Sequence, residues 1–334
     1  MLRGGPLQRP DIPLMRLLDI QNLTVSFSQH GGLVQAVRGM TLHLDPGESL
    51  GVIGESGSGK SVTCMAALRL LREPPARITA DRMVLAGTDV LTARGAALAQ
   101  LRGKAAAMIF QDPMTAFDPS FTIGHQIAET IMAHRPARKG EARDEAQALL
   151  ARVEIKNPAA VLDSYPHQLS GGMLQRAMIA MALSCRPQIL FADEPTTALD
   201  VTVQAQILQL IKDVQAEFGM GLVMVTHDLG VIAETVDRVL VMYGGLVMEQ
   251  ALVQDLFDTP AHPYTQALLA SVPGRTSGRR RLTEIPGASP NPSNPPKGCP
   301  FHPRCPIALP QCAEEMPLLR STAPGRDVAC WRVE

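Results

Sequence analysis

Apolar and polar positions alternate through residues 14–45, with the two-residue period of strands that are buried on one face. The turn "DPGE" ends this region, which therefore predicts antiparallel strands. Beyond it, short runs of consecutive apolar residues alternate with stretches of helical spacing. Continuous apolar strands between helices predict a parallel sheet that is covered by helices on both faces.

The same patterns place the individual elements. Helices are predicted over 61–71 and over 201–218, where apolar side chains fall on one face and Gly219 provides a stop. Strands are predicted over 49–54, 188–195 and 221–228, with an edge pair over 82–90 and a hairpin over 238–249. Residues 92 to 185 are predicted to be mostly helical, with proline-rich breaks at 112–119 and 157–166. A linker is predicted over 274–298.

Composition favours a packed globular chain. Of the 334 residues, 46% are hydrophobic and 19% are charged, and 31 basic against 32 acidic residues leave a net charge of −1. This balance gives no electrostatic reason to expect a nucleic-acid partner. No apolar run approaches the ~20 residues of a spanning helix, and residues 1–13 lack the apolar centre of a signal peptide. We therefore expect a flexible arm over 1–13 and a chain that is cytosolic or held at a membrane by partners.

The stretch "GESGSGKS" follows the first predicted buried strand and opens a predicted helix. Its glycines, lysine and serine match G-x-x-x-x-G-K-[ST], in which backbone N–H groups cradle phosphates and the serine ligates Mg²⁺. A chance glycine turn is the alternative, but the strand and helix around it are what the mechanism requires. A dinucleotide fold is disfavoured because Val62 stands where a third glycine is needed. The predicted binding set is Gly54, Glu55, Ser56, Gly57, Ser58, Gly59, Lys60, Ser61 and Val62.

An acid pair ends the predicted strand "ILFAD" and completes this site. Asp193 can reach the metal through water, and Glu194 is placed to orient or deprotonate an attacking water. Two solvated acids at a strand end are the alternative interpretation.

A second glycine-rich helix start lies at "LSGGMLQR". The N–H groups of Ser170, Gly171 and Gly172 would form another anion site. Taken alone, an ordinary serine cap explains this stretch better.

Together with the phosphate loop, "LSGGMLQR" resembles the signature of the ABC ATPase family, with Met173 where glutamine is usual. The resemblance implies an α/β P-loop NTPase fold. This fold has a parallel-sheet core, an antiparallel β subdomain, a helical subdomain at about 100–185 and a C-terminal extension that contains cysteines. It also implies two such domains packed head to tail, so that Ser170 and Gly172 serve a partner's ATP.

The resemblance assigns roles to further residues. Phe27 would stack on adenine, Asp200 would touch the opposite subunit, and His227 would hold the γ-phosphate and the water. Gln111 would sense the γ-phosphate, ligate Mg²⁺ together with Ser61, and contact membrane subunits. The implied catalytic set is Glu194, His227 and Gln111.

Longer motifs, such as "YPHQLSGGMLQR" and "HPYTQALLASVP", look like the dipeptide, oligopeptide and nickel importer ATPases. They imply an ATPase at the cytoplasmic face of the inner membrane, with two permease subunits, a substrate-binding protein and a second, similar ATPase. A heterodimer of the two ATPases is expected, with a homodimer as the alternative. Importers of nickel or another small solute, and a soluble ABC ATPase, stay as alternatives. The expected domains are an ATPase domain over 14–260 and an extension over 261–334.

Four cysteines crowd that extension: Cys299, Cys305, Cys312 and Cys330. Their spacing, C-x₅-C-x₆-C-x₁₇-C, is not the paired C-x₂-C of a zinc ribbon, and disulfides are rare in a reducing compartment. The tail is similar to that of peptide-importer ATPases, some of which carry a [4Fe–4S] cluster. The cluster is therefore expected, with zinc or unliganded thiols as alternatives. His302, between prolines, is interpreted as a turn residue.

Overall fold

The computed structural model describes residues 16–29, 31–197, 199–271 and 285–333. Within these ranges the strands are β1 Leu18–Gln29, β2 Gly32–Leu44, β3 Ser49–Ile53, β4 Ala76–Thr79, β5 Arg82–Leu85, β6 Thr88–Asp89, β7 Ala106–Ile109, β8 Ile189–Asp193, β9 Gly221–Val225, β10 Arg238–Tyr243, β11 Leu246–Leu252, β12 Arg320–Ala323 and β13 Arg326–Val328.

The α-helices of the same ranges are α1 Lys60–Ala67, α2 Gly95–Leu101, α3 Ile123–His134, α4 Lys139–Arg152, α5 Pro158–Leu162, α6 Gly171–Leu183, α7 Val201–Phe218, α8 Leu229–Thr235, α9 Val253–Asp258, α10 Pro263–Ala270 and α11 Gln311–Glu314. Short 3₁₀ helices are formed by Pro113–Ala116, Pro166–Gln168 and His302–Arg304. None of the helices in the described ranges is both long and apolar enough to cross a bilayer.

The central sheet has the order β12-β13-β11-β10-β3-β9-β8-β7. Strands β10, β3, β9, β8 and β7 are parallel, and β11, β13 and β12 extend the sheet in antiparallel fashion. Every residue of β3 is buried, and its side chains serve both faces: Leu50 and Val52 join one core and Ile53 joins the other. The predicted parallel sheet with two covered faces is therefore confirmed.

A second, antiparallel sheet covers one of those faces. Strand β1 pairs with β2, β4 and β5, and β6 extends β5. The alternation in residues 14–45 correctly predicted β1 and β2. Their inward side chains, among them Leu18, Leu23 and Met40, form one core with α1 and the central sheet. Helices α3, α4, α5 and α6 pack together beside the sheet.

The pattern wrongly predicted helix over residues 106–109, which form β7 at one edge of the central sheet. The run "AAMI" is four buried residues long, and periodicity cannot distinguish a strand from a buried helical turn at that length. Alanine also has the highest helix propensity, which biased the prediction.

The linker predicted over 274–298 is wrong for residues 285–298. These residues have no helix or strand, but they contact the phosphate loop, because the Ser289 hydroxyl donates to the Glu55 carboxylate. Residues 272–284 and the predicted arm over 1–13 lie outside the described residues. The predicted domain boundaries stay predictions.

Candidate functional site

The phosphate loop, residues 54–59, connects the end of β3 to the start of α1, as the sequence predicted. Two of its glycines are required by space as well as by backbone angle. Gly54 has φ 152° and Gly59 has φ 102°. A Cβ on Gly54 would lie 2.1 Å from the Met242 carbonyl oxygen, and one on Gly59 would lie 2.4 Å from that of Ala36. The loop can therefore close tightly only with glycine at these two positions.

Lys60 lies folded over this loop. Its Nζ donates to the carbonyl oxygens of Gly54 (2.8 Å) and Glu55 (3.0 Å). Burial lowers the pKa of Lys60, while the nearby carboxylates of Glu194 and Asp193 act in the opposite direction. The ammonium is therefore bound to neutral oxygens at the place where a phosphate would supply charged ones.

Asp193 and Ser61 meet at the end of β8. The Ser61 hydroxyl donates to Asp193 Oδ1 at 3.0 Å, although 132 residues separate them in the chain. Burial raises the pKa of Asp193, and the bond from Ser61 and the charge of Lys60 oppose that shift. A hydroxyl and a carboxylate side by side are the hard oxygen ligands that Mg²⁺ prefers.

Glu194 has three side-chain partners in the same cleft. Its carboxylate accepts from Gln111 Nε2 (3.0 Å) and Thr197 Oγ1 (2.8 Å), and it lies 3.2 Å from His227 Nδ1. Burial alone would raise the pKa of Glu194, but the bonds from Thr197 and His227 lower it below its ordinary value. The carboxylate is therefore ionised at neutral pH and able to accept a proton from water. Its φ of 48° is the left-handed conformation that non-glycine residues rarely adopt.

The four tail cysteines line one small cavity together with His262 and Trp331. All four are free thiols. Burial raises the pKa of Cys299 to about 11, and the neighbouring Cys312 and Cys330 add to the shift. Within the described ranges, however, no group of three or more His, Cys, Asp or Glu is arranged to hold a metal ion. In this arrangement the four cysteines therefore do not form a metal centre, and the iron–sulfur cluster stays a prediction.

Comparisons with known proteins agree with this geometry. A family model for ABC transporters matches residues 37–197, and one for the C-terminal region of oligopeptide/dipeptide transporters matches residues 248–312. The probable peptide ABC transporter ATP-binding protein y4tR of Sinorhizobium fredii is 49% identical over 317 residues, which is 95% of each chain. The chain belongs to the ABC transporter family.

Two further matches extend this assignment. The dipeptide transport ATP-binding protein DppD of Bacillus subtilis is 45% identical over 95% of this ABC ATPase and 94% of its own length. The dimeric ATP-binding cassette MJ0796, in a post-hydrolysis state bound to ADP and Pi, is 26% identical, with a TM-score of 0.64. It covers 71% of this chain and 98% of its own. The ABC ATPase therefore has the P-loop fold of its family and hydrolyses ATP with Mg²⁺.

The remaining predicted residues of this ABC ATPase lie on other elements than the phosphate loop. Ser170 begins α6, where its hydroxyl accepts from Met173 N at 3.4 Å, and Gly171 is exposed beside it. Asp200 is exposed and caps α7. Among the hydrogen bonds of the described residues, none joins Ser170 or Asp200 to the loop, and their predicted role on a partner's nucleotide stays a prediction. Phe27 lies near the end of β1, half-buried against the core that contains α1.

Sequence reasoning missed three residues that contact the loop from the tail side. Arg304 and Ser289 both donate to the Glu55 carboxylate, and Tyr264 accepts from Glu55 N at 2.9 Å. The only signal for them was that "HPYTQALLASVP" and the cysteine tail resembled one branch of the family. That resemblance could not predict the contact between Arg304 and Glu55, because the two residues are 249 positions apart in the chain.

Proposed function

We propose that this ABC ATPase energises an importer for dipeptides or oligopeptides. The observation that carries the proposal is the match of residues 248–312 to the oligopeptide/dipeptide transporter C-terminal region, in a chain whose Ser61–Asp193 and His227–Glu194 pairs are in place. The names of these relatives, peptide and dipeptide transport ATP-binding proteins, favour peptides over nickel or another solute. They also disfavour a soluble ABC ATPase without a transport role.

The cleft accounts for hydrolysis residue by residue. Lys60 exchanges its two carbonyl partners for phosphate oxygens and neutralises part of their charge. Ser61 and Asp193 would hold Mg²⁺, which supplies charge neutralisation of the phosphates when bound. Glu194 accepts the proton of the attacking water, while His227 and Gln111 fix the direction of its carboxylate.

The proposal includes a head-to-tail pair of ATPases. The helix tip at Ser170 and Gly171 is exposed, and beside Asp200 the Val201 side chain is 83% exposed, which is unusual for a valine. The solved cassette at 26% identity is itself a dimer. We infer that these residues complete the ATP site of a second, different ATPase subunit.

An apolar groove next to Gln111 supports the permease partners. It lies between the end of α1, strand β7 and helices α3 and α6, and its lining includes Leu70, Met108, Phe110, Met178 and Met181. The groove would seat a helix of a permease subunit at the cytoplasmic face of the inner membrane, while a substrate-binding protein delivers the peptide. Phe110 lines the groove, and the next residue, Gln111, donates to the Glu194 carboxylate. A movement of the permease helix in the groove would therefore be passed to the catalytic carboxylate through Gln111.

The last part of the proposal is a [4Fe–4S] cluster on the four tail cysteines, with zinc as the alternative. Support comes from their shared cavity and their free thiols. The thiols would have to deprotonate and converge, because metal binding needs thiolates and the present arrangement is not a metal site.

Reconstitution tests the transport function. The chain, its partner ATPase and the two permeases would be placed in vesicles, and ATP hydrolysis would be measured with a loaded substrate-binding protein. We expect hydrolysis to be low for the isolated chain and to rise when a di- or oligopeptide is supplied. Stimulation by nickel but not by peptides, or full activity of a solitary monomer, would refute the proposal.

Anaerobic purification tests the cluster. About four irons and about four sulfides per chain would support it. They should be lost in Cys312→Ser and kept in Cys185→Ser, since Cys185 is a buried thiol outside the cavity. Stoichiometric zinc, or no bound metal at all, would exclude the cluster.

A further inference from the structure

The tail, residues 285–333, forms hydrogen bonds with one residue of the phosphate loop, Glu55. Arg304 Nη1 donates to both carboxylate oxygens, at 3.0 and 2.8 Å, and the Ser289 hydroxyl donates to the same carboxylate. The backbone N–H of Glu55 donates to the Tyr264 hydroxyl at 2.9 Å, and its carbonyl accepts from Lys60 at 3.0 Å. The loop is therefore held from outside, at the residue whose carbonyl receives the phosphate-binding lysine.

Arg304 is itself fixed in place. Its side chain is only 7% exposed. Nε donates to Pro286 O (2.8 Å), Nη2 to Ile285 O (3.0 Å), and Nη1 also reaches the Tyr243 hydroxyl (2.9 Å). Every nitrogen of the guanidinium has a hydrogen-bond partner, so the side chain is already held in one conformation. Its hydrogen bonds to Glu55 therefore cost little additional conformational entropy.

An aromatic cluster supports the grip. The rings of Tyr243, Tyr264 and Phe301 pack with centroids 4.5 to 5.4 Å apart, and the Arg304 guanidinium lies 5.7 Å from the Tyr243 ring centre. Tyr243 ends β10 of the central sheet, whereas Tyr264 in α10 and Phe301 belong to the C-terminal extension, so the cluster joins the extension to the ATPase core.

The tail also forms one wall of a cavity at the loop. Ser289 to Pro292 and Pro295 face the loop residues Ser56, Gly57 and Ser58 across this cavity. The backbone bond from Gln35 N to Pro292 O ties that wall to strand β2. The segment and the loop thus line one cavity together.

We propose that Arg304 is a positioning residue for ATP binding, which acts through Glu55 to keep the phosphate loop in its binding conformation. The loop carries three glycines with positive φ, so without an outside contact it would sample other conformations. ATP would then have to order the loop as it binds, and its apparent affinity would fall by the fraction of loops in the competent state. Once ATP is bound, the catalytic groups around Glu194 are unchanged.

The role predicts a division between binding and turnover. Arg304→Met should raise the dissociation constant for Mg-ATP and the KM by about tenfold, which corresponds to one competent loop in ten, and leave kcat within about twofold. Arg304→Lys keeps the positive charge but loses the planar guanidinium, so its dissociation constant and KM should lie between those of the parent chain and of Arg304→Met. A merely structural anchor would instead lower the melting temperature and the active fraction, and leave KM unchanged.

The matched control is Arg326→Met. Arg326 is also a tail arginine on the ATPase core, where it donates to Asp255 O at 2.7 Å and to Thr259 Oγ1 at 3.0 Å, away from the loop. Binding would be measured calorimetrically on the purified full chain, with thermal unfolding recorded for each variant. Glu55→Gln and Ser289→Ala test the same contact from its other partners if Arg304→Met does not fold.

The outcomes separate this inference from the transport proposal, on which it does not depend. Lys60→Ala should abolish Mg-ATP binding. Suppose that Lys60→Ala abolishes binding while the other three variants, Arg304→Met, Glu55→Gln and Ser289→Ala, bind Mg-ATP normally. The positioning role is then wrong, but the assignment of the ATP site is retained. Equal weakening by Arg326→Met would likewise overturn it, since a general loosening of the tail would then explain the effect. Normal binding by Lys60→Ala would remove the ATP site itself.

Discussion

Glu249 offers a test of how the core supports the nucleotide site. Its side chain is fully buried in β11, and its two carboxylate oxygens accept from the backbone N–H groups of Ala261 (2.9 Å) and His262 (2.8 Å). Those N–H groups lie at the start of α10, the helix that carries Tyr264 to Glu55. A buried carboxylate therefore fixes the approach of that helix to the phosphate loop.

The cost of removing it follows from these bonds. Hydrogen bonds to a charged group contribute about 1.5–3 kcal/mol each, and a buried donor left unpaired costs a similar amount. Glu249→Gln keeps one acceptor oxygen but turns an amide N–H₂ toward the other donor, so we expect a loss of about 2 kcal/mol. Glu249→Leu leaves both N–H groups unpaired, and we expect a loss of about 3–5 kcal/mol in the free energy of unfolding.

Urea unfolding followed by circular dichroism measures both variants. Asp163→Asn is the control, because Asp163 also accepts two hydrogen bonds, from Arg143, but its side chain is 69% exposed. That change should cost less than about 0.5 kcal/mol. A free energy for Glu249→Leu within about 1 kcal/mol of the parent chain would refute the reasoning, as would a loss in Asp163→Asn of the same size.

Three further predictions concern the cleft. Glu194→Gln should lower kcat at least ~100-fold while Mg-ATP stays bound, because the amide keeps the shape and loses the base; normal turnover would remove Glu194 from that role. Gly54→Ala should abolish Mg-ATP binding, because its Cβ would lie 2.1 Å from a backbone oxygen. Gly57→Ala is strained by its φ of 77°, but its Cβ would meet no atom of the described residues within 4 Å, so it should weaken binding and still leave it measurable in the same titration. Because the pKa of Glu194 is lowered in the nucleotide-free protein, its acid limb in kcat/KM should lie below the ordinary carboxyl range, and a limb near neutral pH that is due to the enzyme would contradict its assignment as the base.

The sequence was sufficient where a function is carried by neighbouring residues. The strand, glycine loop and helix around Lys60 are consecutive, and Ser61 and Asp193 were both predicted because each ends or begins a recognisable element. Strand β7 was missed because four apolar residues fit either period. Arg304 was missed because its contact with Glu55 spans 249 residues, and local patterns contain no information about which distant chain segments meet.

Composition also misled in the tail. Residues 285–298 are rich in proline and glycine, which is typical of linkers, yet proline has little conformational freedom to lose on packing. Five residues of this stretch, Ser289 to Pro292 and Pro295, line a cavity at the phosphate loop. The hairpin of β12 and β13 was not predicted either, because its strands of four and three residues are mostly polar, and it joins the sheet through the pairing of β13 with β11.

The shared grip on Glu55 has a thermodynamic corollary. If the contact between the tail and Glu55 raises the affinity for ATP, then bound ATP must stabilise that contact by the same factor, because coupling free energies are reciprocal. Saturating ATP should thus slow hydrogen exchange of the amides in 285–305, and a reagent that dislodges this stretch should hasten ATP release. Cys305, which lines the cysteine cavity, follows Arg304 directly in the chain, so a chemical change at those thiols has a short route to nucleotide occupancy.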